Sequence, residues 1–370
     1  MLIGVPKEIK NHEYRVGLVP ASARELINHG HEVIVESNCG AGIGFENEDY
    51  IAAGARISDV AAEIFAAAEM IIKVKEPQPN ECKMLRAGQI LYTYLHLAPD
   101  PDQTAALIKS GATCIAYETV TDSNGGLPLL APMSEVAGRL APQAGAHVLE
   151  KAQGGRGVLL GGVPGVEPAK VTVIGGGIVG HNAASLAVGM GADVTILDRS
   201  IERLRWLDNH YQGRVKCVYS TVAAIEEHAL ASDMVIGAVL VPGAAAPKLL
   251  TRDMISRMKQ GSVVVDVAID QGGCFETSKA TTHADPTYVV DGVVHYCVAN
   301  MPGAVARTST MALNNVTLPY AVALANKGAK QALLDDKHLA NGLNVHQGKV
   351  TYKAVSDALG YDFVPISEAL

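Results

Sequence analysis

The stretch "KVTVIGGGIVGHNAASLAVGMGADVTILDRS", residues 170–200, decides how the middle of this chain is read. The apolar run Val171 to Ile174 has strand character and feeds directly into Gly175, Gly177 and Gly180. A small-residue helix follows, with Ala184 and Ala187 at helical spacing and Gly191 closing it. A second apolar run then ends on Asp198, 23 positions after the first glycine. A glycine pattern alone is weak, but this one follows a strand, opens a helix and has its acid at the end of the next strand. Gly175 allows the tight turn, Gly177 lets the backbone approach a pyrophosphate, and Gly180 lets the helix pack close to the strand. The pyrophosphate would lie over the N–H groups of Ile178 and Val179, where the helix dipole favours an anion. Asp198 can accept two hydrogen bonds from a ribose diol and repels a 2′-phosphate, so NAD is favoured over NADP. Arg199 beside it is the one feature pulling the other way.

The rest of the chain is compatible with this reading. A length of 370 residues suits two domains. Hydrophobic residues make up 48% and charged residues 18%, a globular composition without a disordered segment. The net charge of −8 argues against a nucleic-acid surface. Apolar runs such as "MVIGAVLVPGAAAP" fall short of the roughly 20 residues of a membrane span, and the N-terminus lacks a signal-peptide core. Six cysteines without CxxC spacing indicate neither a metal site nor a disulfide framework, and fit reduced thiols in a cytoplasmic protein. A mean hydropathy of +0.17 points to apolar surface hidden in an oligomer.

Strand-like runs at 2–6, 31–37, 70–75, 89–97 and 112–120 alternate with helical patterns, which predicts a mostly parallel sheet covered on both faces. The loop "VTDSNGGLPLLAP" is the first domain boundary, followed by a connecting helix expected to kink or break at Pro142. A second set of strands is expected at 171–174, 193–197, 215–219, 233–239, 262–268 and 294–298. From about Pro302 the pattern turns helical, and no further strand set is expected. The fold class is therefore α/β: two doubly wound, Rossmann-like domains joined by long helices, with cofactor and substrate in the cleft between them. The substrate domain takes residues 1–130 and 305–370, and the cofactor domain takes 131–304.

Ligands of doubly wound sheets bind off the carboxyl ends of strands. That rule picks out Ser220, Val239, Leu240 and "VAID" (267–270), whose Asp270 faces the nicotinamide end. A helix cap or a solvated turn is the competing reading of Asp270, and Asp266 reads as a structural acid. In the first domain the same rule picks out Arg15, Lys75 and His96. An arginine fork suits a carboxylate, a lysine can polarise a carbonyl, and a histidine can both take and give a proton near neutrality. Singly, each has a bland reading as a solvated or structural side chain. Their shared placement singles them out.

The sequence also resembles the bacterial alanine dehydrogenases, within the alanine dehydrogenase and transhydrogenase alpha-subunit family, along essentially its whole length. The resemblance is carried by "MLIGVPKEIKNHEYRVGLVP", "KVKEPQPNE", "LYTYLHLA", "PMSEVAGRLA", "VIGGGIVGHNAA", "ILDRS" and "NMPGAVARTST". It implies reversible NAD-dependent deamination of L-alanine to pyruvate and ammonium. It implies Arg15 and Lys75 as substrate ligands and His96 and Asp270 as the acid/base pair. For NAD it implies Ser134, Ile178, Val179, Asp198, Arg203, Ser220, Val239, Leu240, Val267, Ala268, Ile269, Asp270, Lys279, Val298, Ala299, Asn300 and Met301. Lys279 lacks the fork of the arginine that some relatives carry there. The family's usual assembly, a homohexamer, is likewise implied. A 2-hydroxy-acid dehydrogenase and the NAD-binding module of a proton-translocating transhydrogenase are the rival readings.

Overall fold

The computed structural model describes residues 1–239 and 246–370, so Leu240 lies outside the described residues. Among the described residues, fifteen strands run in chain order: β1 (Leu2–Val5), β2 (Glu32–Glu36), β3 (Arg56–Ser58), β4 (Met70–Ile72), β5 (Ile90–Thr93), β6 (Thr113–Ala116), β7 (Lys170–Ile174), β8 (Asp193–Asp198), β9 (Val215–Tyr219), β10 (Met234–Gly237), β11 (Val263–Asp266), β12 (Thr287–Val290), β13 (Val293–Tyr296), β14 (Leu343–His346) and β15 (Lys349–Val350). The chain forms two units, Met1–Met133 with Val305–Leu370, and Ser134–Ala304.

The first unit holds an eight-stranded sheet in the order β15-β14-β6-β5-β4-β1-β2-β3. Strands β1 to β6 are parallel, whereas β14 runs antiparallel to β6 and pairs with β15 as a hairpin. The hairpin corrects the expectation that the tail carries no strand. Its strands, of four and two residues, are too short to register as a periodic pattern, and Gln347–Gly348, both at positive φ, make the turn. The second unit holds a seven-stranded sheet in the order β12-β13-β11-β10-β7-β8-β9. Only β12 is antiparallel, closed onto β13 by Asp291–Gly292. Both sheets are thus parallel-dominated but mixed, each with six parallel strands in the doubly wound order 3-2-1-4-5-6.

The central strands are short Val/Ile-rich runs with every residue buried, as in β4, β10 and β11. Burial on both faces is the condition for a parallel sheet, and each such side chain contributes about 1.5–3 kcal/mol. Several strands end sooner than their apolar runs suggest. β4 stops at Ile72 and β5 at Thr93, so Lys75 and His96 sit on the loops beyond. β11 stops at Asp266, and Val267–Gln271 coil into a 3-10 turn that carries Asp270.

The helix Ala131–Val148 continues through Pro142 and is not broken there. Its small residues explain the tolerance. A Cβ on Gly138 would lie 2.4 Å from the Val179 carbonyl oxygen, and one on Gly145 would lie 2.5 Å from Met234 Cε. Close packing along that face offsets the hydrogen bond that proline cannot donate. In the first unit, the helical segment Ala306–Asp335 bends at Gly328, whose φ of 73° is non-helical. Its Thr310 and Asn314 accept the Val16 and Val19 N–H groups at 3.4 and 2.9 Å, which anchors the loop that carries Arg15.

Candidate active site

In the second unit the glycine loop leaves β7 at the point where strand order reverses, between β7 and β10. Gly175 has φ +101°, and a Cβ there would lie 2.6 Å from the Ala238 carbonyl oxygen. A Cβ on Gly180 would lie 1.7 Å from the Gly175 carbonyl oxygen, so helix and turn touch backbone to backbone. A Cβ on Gly177 would meet nothing within 4 Å, and Ile178 beside it is exposed. Helix Ile178–Gly189 begins there, and no side chain caps it. Its first N–H groups have no acceptor within the helix and open onto that clear side, the geometry of an anion seat. The residues present therefore fit a dinucleotide.

Asp198 does more than end β8. Its Oδ2 accepts the Gly176 N–H at 2.7 Å and its Oδ1 accepts the Ser200 N–H at 2.7 Å. It therefore fixes the glycine turn and retains further lone pairs for a ligand. Arg203 donates from Nε to the Gly176 carbonyl at 2.5 Å and lies over the Trp206 ring at 4.1 Å. Burial holds its guanidinium below the ordinary arginine value, with Asp198 opposing. The Ser220 N–H donates to the Asp198 carbonyl oxygen at 2.9 Å, which brings those two together. Gly175 packs against Val239 Cγ2 across the switch point.

Further along the same edge, Asp266 is fully buried and organises the segment around Asp270. Its carboxylate accepts the Ala268 and Cys274 N–H groups at 3.0 and 2.8 Å and the Ser278 hydroxyl at 2.5 Å. Asp270 is left exposed, and its Oδ1 accepts the Asn300 N–H at 3.4 Å. The segment Val298–Met301 thereby meets the 267–271 turn; Asn300 sits at φ +59°, and its carbonyl lies 3.1 Å from His283 Nε2. Lys279 is exposed, with its N–H on the Tyr288 hydroxyl at 2.7 Å. Ser134 is half-buried on the helix Ala131–Val148.

In the first unit Arg15, Lys75 and His96 occupy the loops after β1, β4 and β5, and β1 and β4 flank that sheet's own switch point. Arg15 is not a solvated loop arginine: it is 2% exposed. Its Nε and Nη2 donate to the two Glu13 oxygens at 2.7 and 2.6 Å, and Nη1 donates to Met133 Sδ at 3.2 Å. Burial alone would lower its pKa, but Glu13 outweighs it and the guanidinium is held above its ordinary value. Lys75 directs Nζ toward Glu76 Oε2 at 3.6 Å, and Glu76 also pairs with Lys10.

His96 has φ +48°, a left-handed conformation that costs a non-glycine residue roughly 1–3 kcal/mol. Glu118 holds it there, accepting the His96 N–H at 2.6 Å and the Leu95 N–H at 3.2 Å. The same carboxylate lies 3.7 Å from His96 Nδ1, which leaves Nε2 as the nitrogen facing outward on a side chain 44% exposed. Tyr94 stacks on the His96 ring at 5.7 Å. Thr93 Oγ1 donates to the Lys75 carbonyl at 3.0 Å and ties that loop to the His96 strand. Glu118 and Met133 lie 22 and 118 positions from the residues they hold, and no periodicity in the sequence marked them, whereas Glu13 and Tyr94 are two positions from Arg15 and His96.

Family models described as alanine dehydrogenase/PNT match the chain twice, the N-terminal domain over residues 4–137 and the C-terminal domain over 141–353. An alanine dehydrogenase of Halomonas elongata is 68% identical, with 98% of each chain covered. A solved structure described as L-alanine dehydrogenase superposes with a TM-score of 0.95 at 53% identity, covering 97% of this chain and 99% of that one. A transhydrogenase from Sinorhizobium meliloti superposes with a TM-score of 0.84 at 25% identity, covering 95% and 100%. Two matched domain models and a near full-length relative leave one conclusion: the chain belongs to the alanine dehydrogenase/PNT family.

Proposed function

We propose that the chain is an L-alanine dehydrogenase that uses NAD to deaminate L-alanine reversibly to pyruvate and ammonium. The full-length likeness to alanine dehydrogenases carries this reading, and the geometry gives the residues their roles. Bound nicotinamide supplies the acceptor for the hydride that leaves the substrate Cα. Arg15, aimed by Glu13, holds the substrate carboxylate; Lys75 holds the oxygen that becomes the pyruvate carbonyl. Once the alanine ammonium has given up one proton, loss of hydride from Cα leaves an iminium, to which water adds with loss of a second proton. The resulting carbinolamine expels ammonia once its nitrogen is protonated, and its hydroxyl proton leaves as the carbonyl forms. His96 Nε2 takes and returns these protons, and Asp270 orients the amine or the attacking water.

An assay with NADH, pyruvate and ammonium, omitting each in turn, tests the reaction. NADH oxidation is expected only with all three; oxidation with pyruvate alone would make the chain a 2-hydroxy-acid dehydrogenase. The transhydrogenase reading has less support, because that likeness stands at 25% identity against 68%. The proposal extends to a homohexamer in the cytoplasm. A positive mean hydropathy and the exposed Leu159, Val163 and Val166 of one loop support the assembly, and light scattering reads its mass.

NAD is preferred because Asp198 places a carboxylate where NADP carries phosphate, while Arg203 is engaged by Gly176 and Trp206. Asp198→Ala is expected to weaken NAD by roughly 1.5–3 kcal/mol, the value of a hydrogen bond to a charged group, and to raise relative NADP use. Comparable use of NADP and NAD by the unmodified protein would remove Asp198 from this role.

A further inference from the structure

Lys73 lies at the end of β4 and is completely buried, as are Glu8 from the loop after β1 and Glu81 to within a few per cent. Lys73 Nζ donates to Glu8 Oε2 at 3.1 Å and to Glu81 Oε1 at 2.8 Å. An ammonium removed from water in this way is tolerated only when paired and hydrogen-bonded. Burial pulls the Lys73 pKa down, and the two carboxylates more than offset it. Burial pushes the Glu8 carboxyl up, and Lys73 with the Val74 N–H restores only part of the difference. An apolar trio of similar volume would commonly pack as stably as such a cluster. The charged cluster supplies something an apolar one lacks, an acceptor for the main chain.

Glu8 Oε1 accepts the N–H groups of Val74 and Lys75 at 2.7 and 3.2 Å, beyond the last residue of β4. The other main-chain groups of the segment are also engaged. Lys73 N–H donates to the Tyr92 carbonyl at 3.2 Å, and the Lys73 carbonyl accepts the Tyr117 hydroxyl at 3.0 Å. The Val74 carbonyl accepts the Tyr94 N–H at 3.2 Å, and the Lys75 carbonyl accepts Thr93 Oγ1 at 3.0 Å. All six polar groups of Lys73–Lys75 are therefore held. Two of them rest on Glu8 alone, which is itself oriented by Lys73. Glu81 completes the mount by accepting the Gln78 N–H at 2.7 Å, which fixes the loop on the far side of Lys75.

We propose that Glu8, oriented by the buried Lys73–Glu81 pair, is a positioning residue that clamps the loops after β1 and β4 together at the switch point and so sets where Lys75 presents its ammonium to substrate. This rests on the reading of Lys75 as a substrate ligand. In Glu8→Gln the side-chain amide has one oxygen to serve both the ammonium and the two N–H groups, and its NH2 faces a donor on either side. In Lys73→Met/Glu8→Gln/Glu81→Gln the ammonium and both buried carboxylates that paired with it are gone, and the amide oxygen at position 8 is free to serve the N–H groups, so the clamp re-forms without an unpaired buried charge.

The test is steady-state reductive amination by the full chain, with NADH binding read by fluorescence. Glu8→Gln is expected to lose on the order of a hundredfold in kcat/KM for pyruvate, the cost of misplacing a positioning group by about 1 Å, with NADH affinity unchanged. The triple variant is expected to recover most of that loss, which a merely destabilised protein would not do. A folded Glu8→Gln variant with unchanged kcat/KM, or a triple variant no better than the single one, overturns the proposal. Should neither variant fold, amide exchange in the unmodified protein decides. The Lys75 N–H is expected to be strongly protected although its residue is half-exposed and outside the strand, and rapid exchange there overturns the clamp. Lys75→Ala separates the two readings. If it leaves pyruvate kinetics intact, the substrate role of Lys75 fails; if it is impaired while Glu8→Gln is normal, only the clamp fails.

Discussion

His96→Ala and Asp270→Asn are each expected to reduce turnover by about a hundredfold or more, the range for acid–base groups, while NADH binds as before. Deamination must take a proton from the alanine ammonium, guide water to the iminium carbon, and return a proton so that ammonia can leave. His96 is the residue we propose for that traffic. Its backbone is held in a left-handed conformation by Glu118, and the same carboxylate lies beside Nδ1, so on this proposal Nε2 is the exchanging atom. Asp270 stands exposed at the end of a turn that the buried Asp266 anchors. Near-normal turnover in either variant would refute its assignment, and so would inactivity that traced entirely to lost NADH binding.

Gly180→Ala should be the most damaging change in the second unit, and Gly177→Ala the informative contrast. A methyl group at 180 would sit 1.7 Å from the Gly175 carbonyl oxygen, and both atoms belong to backbone that cannot rotate away. Relief requires the helix Ile178–Gly189 to move off β7, which opens the glycine turn. The expected cost is about 1–3 kcal/mol of stability or more, as for overpacking elsewhere, together with at least a tenfold rise in the NADH dissociation constant. At 177 a methyl meets nothing and φ is −66°, so Gly177→Ala should fold and melt like the parent. It should nonetheless bind NADH more weakly, because the methyl projects into the open space above the helix start. Melting curves and fluorescence titrations of the two variants provide the check. Unchanged NADH affinity in both would mean that the pyrophosphate does not lie on this loop.

The sequence by itself determined what short-range chemistry can encode. The alternation of apolar runs and helical patterns implied two α/β units. The three glycines with Asp198 implied a dinucleotide site, because each glycine answers a demand met within a few residues of it. Arg15, Lys75, His96 and Asp270 were legible as polar residues just past apolar runs. Only the tertiary structure decided how those residues are held. Both sheets adopt the order 3-2-1-4-5-6, and that order makes neighbours of the loops after β1 and β4. From it follow the contacts of Glu8 with Val74 and Lys75, 66 and 67 positions away. The grip of Glu118 on His96 spans 22 positions in the same way. No periodicity links such partners, since their proximity is a product of strand order rather than of spacing. The same reason hid the β14–β15 hairpin, in which β14 acquires strand geometry by pairing with the edge of β6 and β15 by pairing with β14. It also explains the unbroken helix at Pro142, where close packing of Gly138 and Gly145 outweighs a local preference to break. Local propensity is a weak prior that burial against a distant partner overrides, and this chain builds the supports of its candidate site from such partners.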